Sequence, residues 1–433
     1  MKTYQKKTWG RKQKIFLTII TLLVIQAFAG IPTPGVNPDY FKELISGNSA
    51  IGLFNLLAGN GLQNISITML SVTPYITGSI IVQLMANVIP YLADLQKEGD
   101  YGKKIFHRIT LITGAVLAVV EAVGFAVGFG RQGLLVSFTW PWVLLTVVLW
   151  TAGAFLCVGA GELIEKKGFG NGISLILLCN IVSSYPSDMY AVYQKFISGK
   201  KLNTAVIAGI LIAVVILALF IFTVFVQKTE RKVPVVYSNK LQGKISAQKS
   251  TFPIKLCPGS VVPIIFASSI MSMPALIVAM FGKSFWVTDM LDSSHWFDGA
   301  HPLYSIGVPI YLLLIIGFSY FYTSMILNPI EIANNFKKTG ATIPGVRPGQ
   351  PTVEYMKTQI NATVGLGALA CCLIALVPCV LSGVFGLSRL SFAGTSILIT
   401  VGVILETRDK FRSESQASQL TLFGKKPLKK GKR

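Results

Sequence analysis

Residues 204–226 form an apolar run, TAVIAGILIAVVILALFIFTVFV, that contains no charged side chain. A transmembrane helix needs about 20 mostly apolar residues to cross the hydrocarbon core of a bilayer. Similar runs lie near 15–30, 72–90, 109–130, 140–162, 172–187, 258–282, 304–327, 362–382 and 391–406, of which 172–187 and 391–406 are short. The pattern predicts an all-α polytopic membrane protein with ten transmembrane helices.

The composition suits a bilayer better than water. Of the 433 residues, 52% are hydrophobic and 13% are charged, whereas soluble domains carry about 25% charged residues. Six cysteines lie inside or at the edge of apolar runs, without the paired spacing of a disulfide framework or a zinc site. We interpret them as small core residues and predict no metal and no cofactor.

The positive charges predict the orientation. With the N-terminus inside, 32 of the 39 Lys and Arg residues fall in regions expected to face the cytoplasm, and none falls inside a span. These regions are 1–14, 91–108, 163–171, 227–257, 328–361 and 407–433. The positive-inside rule therefore favours cytoplasmic N- and C-termini. The net charge of +21, which alone suggests a nucleic-acid partner, belongs to the cytoplasmic face.

The first apolar segment has a second interpretation. A basic start, an apolar stretch and Ala27-Phe28-Ala29 are also typical of a cleaved signal peptide. We favour a retained span, because many spans follow and the predicted orientation does not depend on this one.

The region between the first two spans is irregular. Residues 51–70 are only moderately apolar and contain four side-chain amides, and Thr73-Pro74-Tyr75 follows them. Proline is well placed at the start of a helix, where its missing N–H costs nothing. We therefore predict that 61–70 is a short helix that does not cross, followed by a break and a crossing helix. An ordinary external loop is the alternative.

Two predicted cytoplasmic loops have ordered compositions. Residues 227–257 combine seven positive charges with the strand-like stretch Val233-Pro234-Val235-Val236-Tyr237. Residues 328–361 contain a Pro- and Gly-rich turn that holds Arg347 on a stiff tip. Long loops of this kind are usually functional, and positive charge favours a large acidic partner such as a cytosolic protein or ribosomal RNA. The alternative is a solvated loop that follows the positive-inside rule.

The spans contain few ionisable side chains. Glu121 is clearly intramembrane, and Glu162 lies at a predicted cytoplasmic edge. The chain has no HExxH, GxSxG or GxxxxGK[ST] motif. A secondary transporter for small molecules, with Glu121 as its site, and an intramembrane enzyme are therefore weaker alternatives than a passive path. We predict that the protein is not an enzyme.

Short motifs occur in a fixed order between about residues 31 and 405. They are Ile31-Pro32-Thr33-Pro34-Gly35-Val36, Thr73-Pro74-Tyr75-Ile76, Ser79-Ile80-Ile81-Val82-Gln83-Leu84, Lys97-Glu98-Gly99 with Gly102-Lys103-Lys104, Gly168-Phe169-Gly170-Asn171-Gly172-Ile173-Ser174, Phe266-Ala267-Ser268-Ser269, Asn328-Pro329, the stretch 343–349 and Gly394-Thr395-Ser396. Together they resemble the SecY family of protein-conducting channels.

This resemblance implies two pseudo-symmetric halves of five helices, 15–200 and 201–406, around a central hourglass pore. A plug helix would close the pore from outside and would include Gly61, Leu62, Gln63, Asn64, Ile65, Ser66, Ile67 and Thr68. A ring of apolar side chains would form the constriction, from Val72, Ile76, Ile173, Leu177, Ile265 and Ile399. Branched apolar side chains hydrate poorly and make a deformable seal against ions.

The resemblance also implies a lateral gate, with the second and third spans on one side and the seventh and eighth on the other, where Gln83 supplies a polar contact. Secretory proteins would cross, and transmembrane segments would leave sideways into the lipid bilayer of the bacterial cytoplasmic membrane. Partners would be small SecE-like and SecG-like subunits, the motor ATPase SecA and the ribosome. The docking residues would be Arg347, Lys228, Arg231, Lys232, Lys337 and Lys338.

The chain departs from the family pattern at several positions. The stretch 25–30 lacks the Arg and Gly that the family commonly has there, Ile330 follows Asn328-Pro329, and the sequence at 229–234 is altered. Glu121 stands where Gln is frequent, and the tail 407–433 is unusually basic. These departures keep open an accessory channel with a restricted set of substrates, beside the housekeeping role.

Overall fold

The computed structural model describes residues 11–37, 40, 62, 64–196, 202–241, 244–259, 261–281, 286–291, 296, 302–385 and 395–423. Gly61 and Gln63 of the predicted plug lie outside the described residues. The described part divides into two compact units. The first unit comprises described residues up to 184 together with 402–423, and the second comprises 185–401.

The chain is mostly helical. The helices are α1 Arg11–Ala29, α2 Thr73–Met85, α3 Pro90–Lys97, α4 Gly99–Gly128, α5 Trp140–Lys167, α6 Gly172–Phe196, α7 Leu202–Lys228, α8 Val262–Met280, α9 Trp286–Leu291, α10 Gly307–Ile326, α11 Pro329–Thr339, α12 Gln350–Phe385 and α13 Thr395–Phe423, with short 3-10 turns at Gly130–Gln132 and Pro302–Ile306. Each predicted span overlaps one of these helices.

Length and hydropathy select fewer spans than we predicted. Among the described residues, six helices are long and apolar enough to cross a membrane, and the number is seven if α2 and α3 are counted as one broken span. α6 and α8 contain shorter apolar stretches, Gly172–Pro186 and Val262–Pro274. The structure therefore supports a polytopic helical membrane protein, and the count of ten stays a prediction.

Prolines set the boundaries of α2 and α3. α2 begins at Thr73 with Pro74 in its first turn, as predicted. Ile89, which precedes Pro90, has an extended backbone with φ −96° and ψ 110°. A residue before proline is disfavoured in the helical region. The chain consequently bends by 107° between α2 and α3.

The predicted short helix at 61–70 is wrong for the residues that the structure describes there. They form successive turns, with bonds from the N–H of Ile65 to the Leu62 carbonyl and from Met69 to Ser66, at 3.1 and 3.0 Å. The backbone at Ile65 is left-handed, with φ 47°, which interrupts a right-handed helix. The same stretch pairs with the chain after α1, because Thr33 donates to the Ile65 carbonyl at 2.8 Å.

The prediction of an all-α chain is also wrong for one part of the second unit. Strands β1 Glu230–Leu241, β2 Lys244–Lys255 and β3 Ala341–Thr342 form a three-stranded antiparallel sheet in the order β2-β1-β3. The sheet forms in this region because the stretch that begins at Val233 has the composition of a strand. Val233 and Val235 are buried and Pro234 between them is exposed, which is the alternation of a half-buried strand.

Glycines bring backbones together in the first unit. A Cβ atom on Gly78 of α2 would lie 2.7 Å from the backbone nitrogen of Gly114 in α4. A Cβ atom on Gly153 of α5 would overlap the carbonyl oxygen of Ile67. Small residues at helix contacts let backbones approach closely in membranes. The described turn segment, residues 62 and 64–72, is therefore packed directly on α5 at Ile67 and Thr68.

Replacement of Gly153 by Ala tests this packing. We expect Gly153→Ala to destabilise the detergent-solubilised protein by about 1–3 kcal/mol, because the added methyl group overpacks the contact with Ile67. The measurement is the midpoint of thermal unfolding. Gly159→Ala is the matched control on the same helix, since its Cβ would meet nothing within 4 Å. Equal midpoints for the two variants would contradict the contact.

Candidate functional sites

The predicted ring residues of the first unit lie at the starts of α2 and α6. Val72 is buried immediately before α2, and the N–H of Ile76 donates to its carbonyl at 3.1 Å. Ile173 and Leu177 stand one turn apart in the first half of α6. Residues four apart share a helix face, so each helix start presents a pair of branched apolar side chains.

The two ring residues predicted in the second unit lie in α8 and α13. Ile265 is half-buried in the first turn of α8. Ile399 is buried in the first turns of α13, between two further buried residues, Leu398 and Thr400. Ile265 follows the apolar start of α8, and Ile399 follows Thr395 and Ser396 at the start of α13. That all six side chains meet around one pore remains a prediction.

The described part of the predicted plug is almost completely buried. Leu62, Ile65 and Ser66 have no exposed surface. Asn64 is exposed, and its amide donates to the Ala29 carbonyl at 3.5 Å. The burial continues through Met69 and Leu70. In this structure the segment is a packed part of the first unit.

A set of buried polar side chains surrounds this segment, and the sequence analysis did not identify it as a site. The amide nitrogen of Asn180 in α6 donates to the Ser71 hydroxyl at 3.0 Å. The side-chain amide of Gln26 in α1 donates to the side-chain oxygen Oδ1 of Asn180 at 3.3 Å. The indole of Trp150 donates to the Thr33 hydroxyl at 3.0 Å. The available signal was the presence of amides inside otherwise apolar runs.

The spans predicted to form the lateral gate pack as pairs within each unit. In the first unit, α2 lies against α4 through Gly78 and Gly114. In the second unit, α8 lies against α10. There the Ser268 and Tyr311 hydroxyls are 3.0 Å apart.

Gln83 has a contact within its own helix. Its amide nitrogen donates to the Ser79 hydroxyl at 2.8 Å. Its amide oxygen is buried and has no hydrogen-bond partner among the residues that the structure describes. The predicted polar contact of Gln83 across a gate stays a prediction, and the oxygen is the atom that would make it.

The two predicted docking loops form one folded body in the second unit, 230–241 and 244–255 with 329–364, which we call the cytoplasmic sheet body after its predicted orientation. β3 pairs with β1 through Val236 and Thr342. A common apolar core joins the sheet, α11 and the start of α12, and its buried members are Val233, Val235, Ile254, Phe336, Ala341, Ile343, Met356, Ile360 and Val364. The sequence analysis treated the loops separately, because strand pairing across more than 100 residues leaves no local signal.

Arg347 lies on a turn held by this body. Gly345 and Gly349 have φ values of 81° and 107°, in the left-handed region that favours glycine. The Thr352 hydroxyl donates to the Arg347 carbonyl at 2.8 Å. Buried Ile343 anchors the N-terminal side of the turn. The predicted stiff tip is thus present, with its arginine exposed.

The other predicted docking residues are exposed as well. They are Lys228, Arg231, Lys232, Lys337 and Lys338. Lys232 lies 3.8 Å from the Glu230 carboxylate. A surface pair of this kind adds little stability and leaves the ammonium group available to a partner.

The ionisable residues of the first unit form no metal site among the described residues. One carboxylate oxygen of Glu121 is buried without a hydrogen-bond partner in the described part of the chain. Glu162 contacts His107 at 3.1 Å and also pairs with Lys166. The His107 contact links α4 to α5, and the Lys166 contact lies within α5.

Comparison with known proteins identifies relatives along nearly the whole chain. The SecY family model matches residues 66–408. The protein translocase subunit SecY of Pseudomonas aeruginosa is 34% identical over 431 residues, which cover 98% of this chain and 94% of the relative.

Solved structures share the fold at lower identity. The Sec61 channel in the canine ribosome-channel complex from the endoplasmic reticulum has a TM-score of 0.67 at 16% identity, with 94% of this chain and 93% of the other covered. A SecY structure described as having a plug domain that stabilises the closed state of its translocation channel has a TM-score of 0.63 at 17% identity, with the same coverage.

Truncation of Phe336 tests whether the cytoplasmic sheet body is one unit. We expect Phe336→Ala to cost about 3–5 kcal/mol, because it leaves a cavity in the shared core. Amide hydrogen exchange should then accelerate both in β1 and at 341–347. Ile330→Ala on the same helix is the control, since Ile330 is exposed and surface changes cost about 0.5 kcal/mol or less. Faster exchange in only one of the two loops would contradict a common core.

Proposed function

Because this chain belongs to the SecY family, we propose that it is a protein-conducting channel that passes secretory proteins across a membrane and releases transmembrane segments into the lipid. One observation carries this conclusion, namely the match to translocase subunits over nearly the full length of both chains. The helical membrane fold supports it, since polypeptide transit needs a spanning body.

The pore would be closed by the apolar ring at Val72, Ile76, Ile173, Leu177, Ile265 and Ile399. The positions of the first four at two helix starts support this assignment. A ring of branched side chains lacks hydrogen-bonding groups, so that water and ions gain little by entering it. The same side chains can separate around a polypeptide, because no covalent or ionic bond joins them.

The ten spans would form two halves on either side of the pore, and the predicted plug, 61–70, would close the pore from outside. Its burial in the first unit supports a closed resting position. The related SecY structure whose plug domain maintains a membrane seal supports the same role. Opening would require the segment to leave its contacts with α1, α5 and α6.

The lateral gate would open between two helix pairs, α2 with α4 and α8 with α10. Their internal packing supports pairs that move as bodies. An apolar segment in the pore could then partition into lipid, driven by about 0.8 kcal/mol for each buried methylene group.

The cytoplasmic sheet body would dock the energy source. Its exposed basic residues and the stiff Arg347 turn support an acidic partner. The related channel in the ribosome complex supports the ribosome as one such partner. The motor ATPase SecA would be another partner of this body. Small SecE-like and SecG-like subunits would lie beside the spans. The positive charge of the cytoplasmic loops favours the bacterial cytoplasmic membrane with both termini inside.

Family membership leaves the transporter and enzyme alternatives without support. The buried carboxylate oxygen of Glu121 is the one feature that a transporter would use. A single carboxylate without a second ligand group makes a poor substrate site in a membrane.

A cysteine at Ile173 tests the pore. In a background with all six native cysteines replaced by alanine, Ile173→Cys should form a disulfide with a cysteine in a stalled secretory chain. Val182→Cys on the same helix is the control, because that side chain is exposed and, nine residues after Ile173, lies about half a turn around the helix from it. Equal crosslinking at the two positions, or none at Ile173, would argue against this pore.

Charge reversal at Arg347 tests motor docking. Arg347→Glu should reduce SecA-driven translocation into proteoliposomes about tenfold or more, since loss of a charged contact costs about 1.5–3 kcal/mol. The channel should still assemble, because Arg347 is exposed and outside the core. Arg131→Glu is the matched control, an equally exposed arginine on the predicted outer side. Full translocation by the Arg347 variant would refute its role in docking.

A further inference from the structure

We propose that Asn180, oriented by Gln26, is a positioning residue that holds the plug segment and Val72 in the closed conformation through its bond to Ser71. This inference rests on the proposed channel function and assigns the closed state a polar clamp, defined as Gln26, Asn180 and Ser71. The clamp adds to the apolar ring a directional contact that opening must break.

The geometry connects three elements of the first unit. Ser71 lies near the end of the turn segment and immediately precedes Val72, the first ring residue. Asn180 lies on α6 three residues after Leu177, another ring residue, so both lie on one side of that helix. Asn180 donates to Ser71 at 3.0 Å and accepts from Gln26 at 3.3 Å. A movement of the segment away from α6 therefore breaks the bond directly beside the ring.

Burial makes the clamp selective for the closed state. Asn180 is 2% exposed and Ser71 is 1% exposed. Ile176 and Ile181, its neighbours along α6, are completely buried, as is Leu70 on the segment. A buried amide in such surroundings costs free energy unless its hydrogen bonds are made. Withdrawal of Ser71 therefore costs free energy, because the Asn180 amide loses its acceptor until water or a polar group of the substrate replaces the Ser71 hydroxyl.

The backbone at Ser71 has a strained conformation that the clamp would stabilise. Its φ is 48°, a left-handed conformation that a residue with a side chain adopts at a cost. Strained conformations persist only where the surrounding contacts fix them. At Ser71 these contacts include the Asn180 amide, a side-chain hydrogen bond with Cys157, and the turn bond from its own N–H to the Thr68 carbonyl at 2.9 Å. Release of the clamp lets Ser71 relax and changes the direction of the chain at Val72.

The other end of the segment has an independent anchor. Thr33 donates its N–H to the Ile65 carbonyl, and the Trp150 indole donates to the Thr33 hydroxyl. Loss of the clamp therefore frees the segment at its ring end first, while Ile65 stays attached. The expected result is a partly open, leaky channel and an intact fold.

The contact between Gln26 and Asn180 has no local signal in the stretch 25–30. It departs from the family pattern, and its Gln26 has no partner nearby in sequence. In the structure, Gln26 reaches across 154 positions to Asn180 and fixes the orientation of that amide. With its oxygen occupied by Gln26, the Asn180 amide presents its nitrogen to Ser71.

The test measures the resting leak of ions through the channel in proteoliposomes, without substrate, for Asn180→Leu, Ser71→Ala and the double variant. Leucine keeps the approximate shape of asparagine and removes both bonds, and Ser71→Ala removes one oxygen atom. We expect each single variant to raise the leak about two- to tenfold, the range that one net hydrogen bond gives. The double variant should leak no more than the worse single variant, because both remove the same bond.

Thr223→Val is the matched control, because Thr223 is fully buried in the second unit and, among the described residues, its hydroxyl bonds to its own helix at the Leu219 carbonyl. Its leak should equal that of the wild type. A wild-type leak in Ser71→Ala, or leaks that multiply in the double variant, would overturn the clamp. If Asn180→Leu does not fold, the leak of Ser71→Ala decides: a raised leak supports the clamp, and a wild-type leak overturns it.

A parallel assay separates the clamp from the proposed function. If wild-type protein translocates a secretory substrate and Ser71→Ala does not leak, the clamp is wrong and the channel assignment stands. The channel assignment itself is wrong if the wild-type protein does not translocate the substrate and the Ile173→Cys variant does not crosslink to it. Gln26→Leu should raise the leak less than Asn180→Leu, since it acts on Ser71 only through the Asn180 amide.

Discussion

The backbone of a non-helical segment inside a membrane protein needs a partner for every N–H and carbonyl, and this requirement shapes the first unit. Residues 62–72 meet part of it by their own turns and part by pairing with the chain after α1. Ile67 donates to the Ile31 carbonyl, and Thr33 donates to Ile65. Because two separate stretches satisfy each other, the unit can hold an irregular segment at depth without exposing polar backbone to lipid.

Several features follow from that arrangement. Gly153 must lack a side chain so that α5 can approach the irregular segment. Trp150, one turn earlier, is buried and directs its indole to Thr33. Asn180 adds a side-chain hydrogen bond at the Ser71 hydroxyl, and Gln26 adds one to Asn180, beside the backbone pairing. The segment thus carries much of the polar character of an otherwise apolar body.

The sequence was most informative where physical chemistry is local. Apolar runs located the helices, Pro74 marked the start of α2, and Val233 to Tyr237 indicated a strand before any strand was seen. It failed where distant segments decide the outcome. The turns at 62–72 depend on pairing with Ile31 and Thr33, and the sheet depends on β3, more than 100 residues from its neighbour. For the same reason the Arg347 turn was expected, while its attachment to the hairpin was not.

The contact between Gly78 and Gly114 has a mechanical consequence. Their backbones touch so closely that neither a methyl group nor a lipid chain fits between α2 and α4 at that level. If one helix slid along the other, larger side chains would enter this gap and clash. The two helices should therefore move as one rigid body. In the proposed channel, an exit route for an apolar segment would therefore follow an outer edge of this pair instead of the contact between its helices. The chain bends by 107° after α2, at the end of that edge.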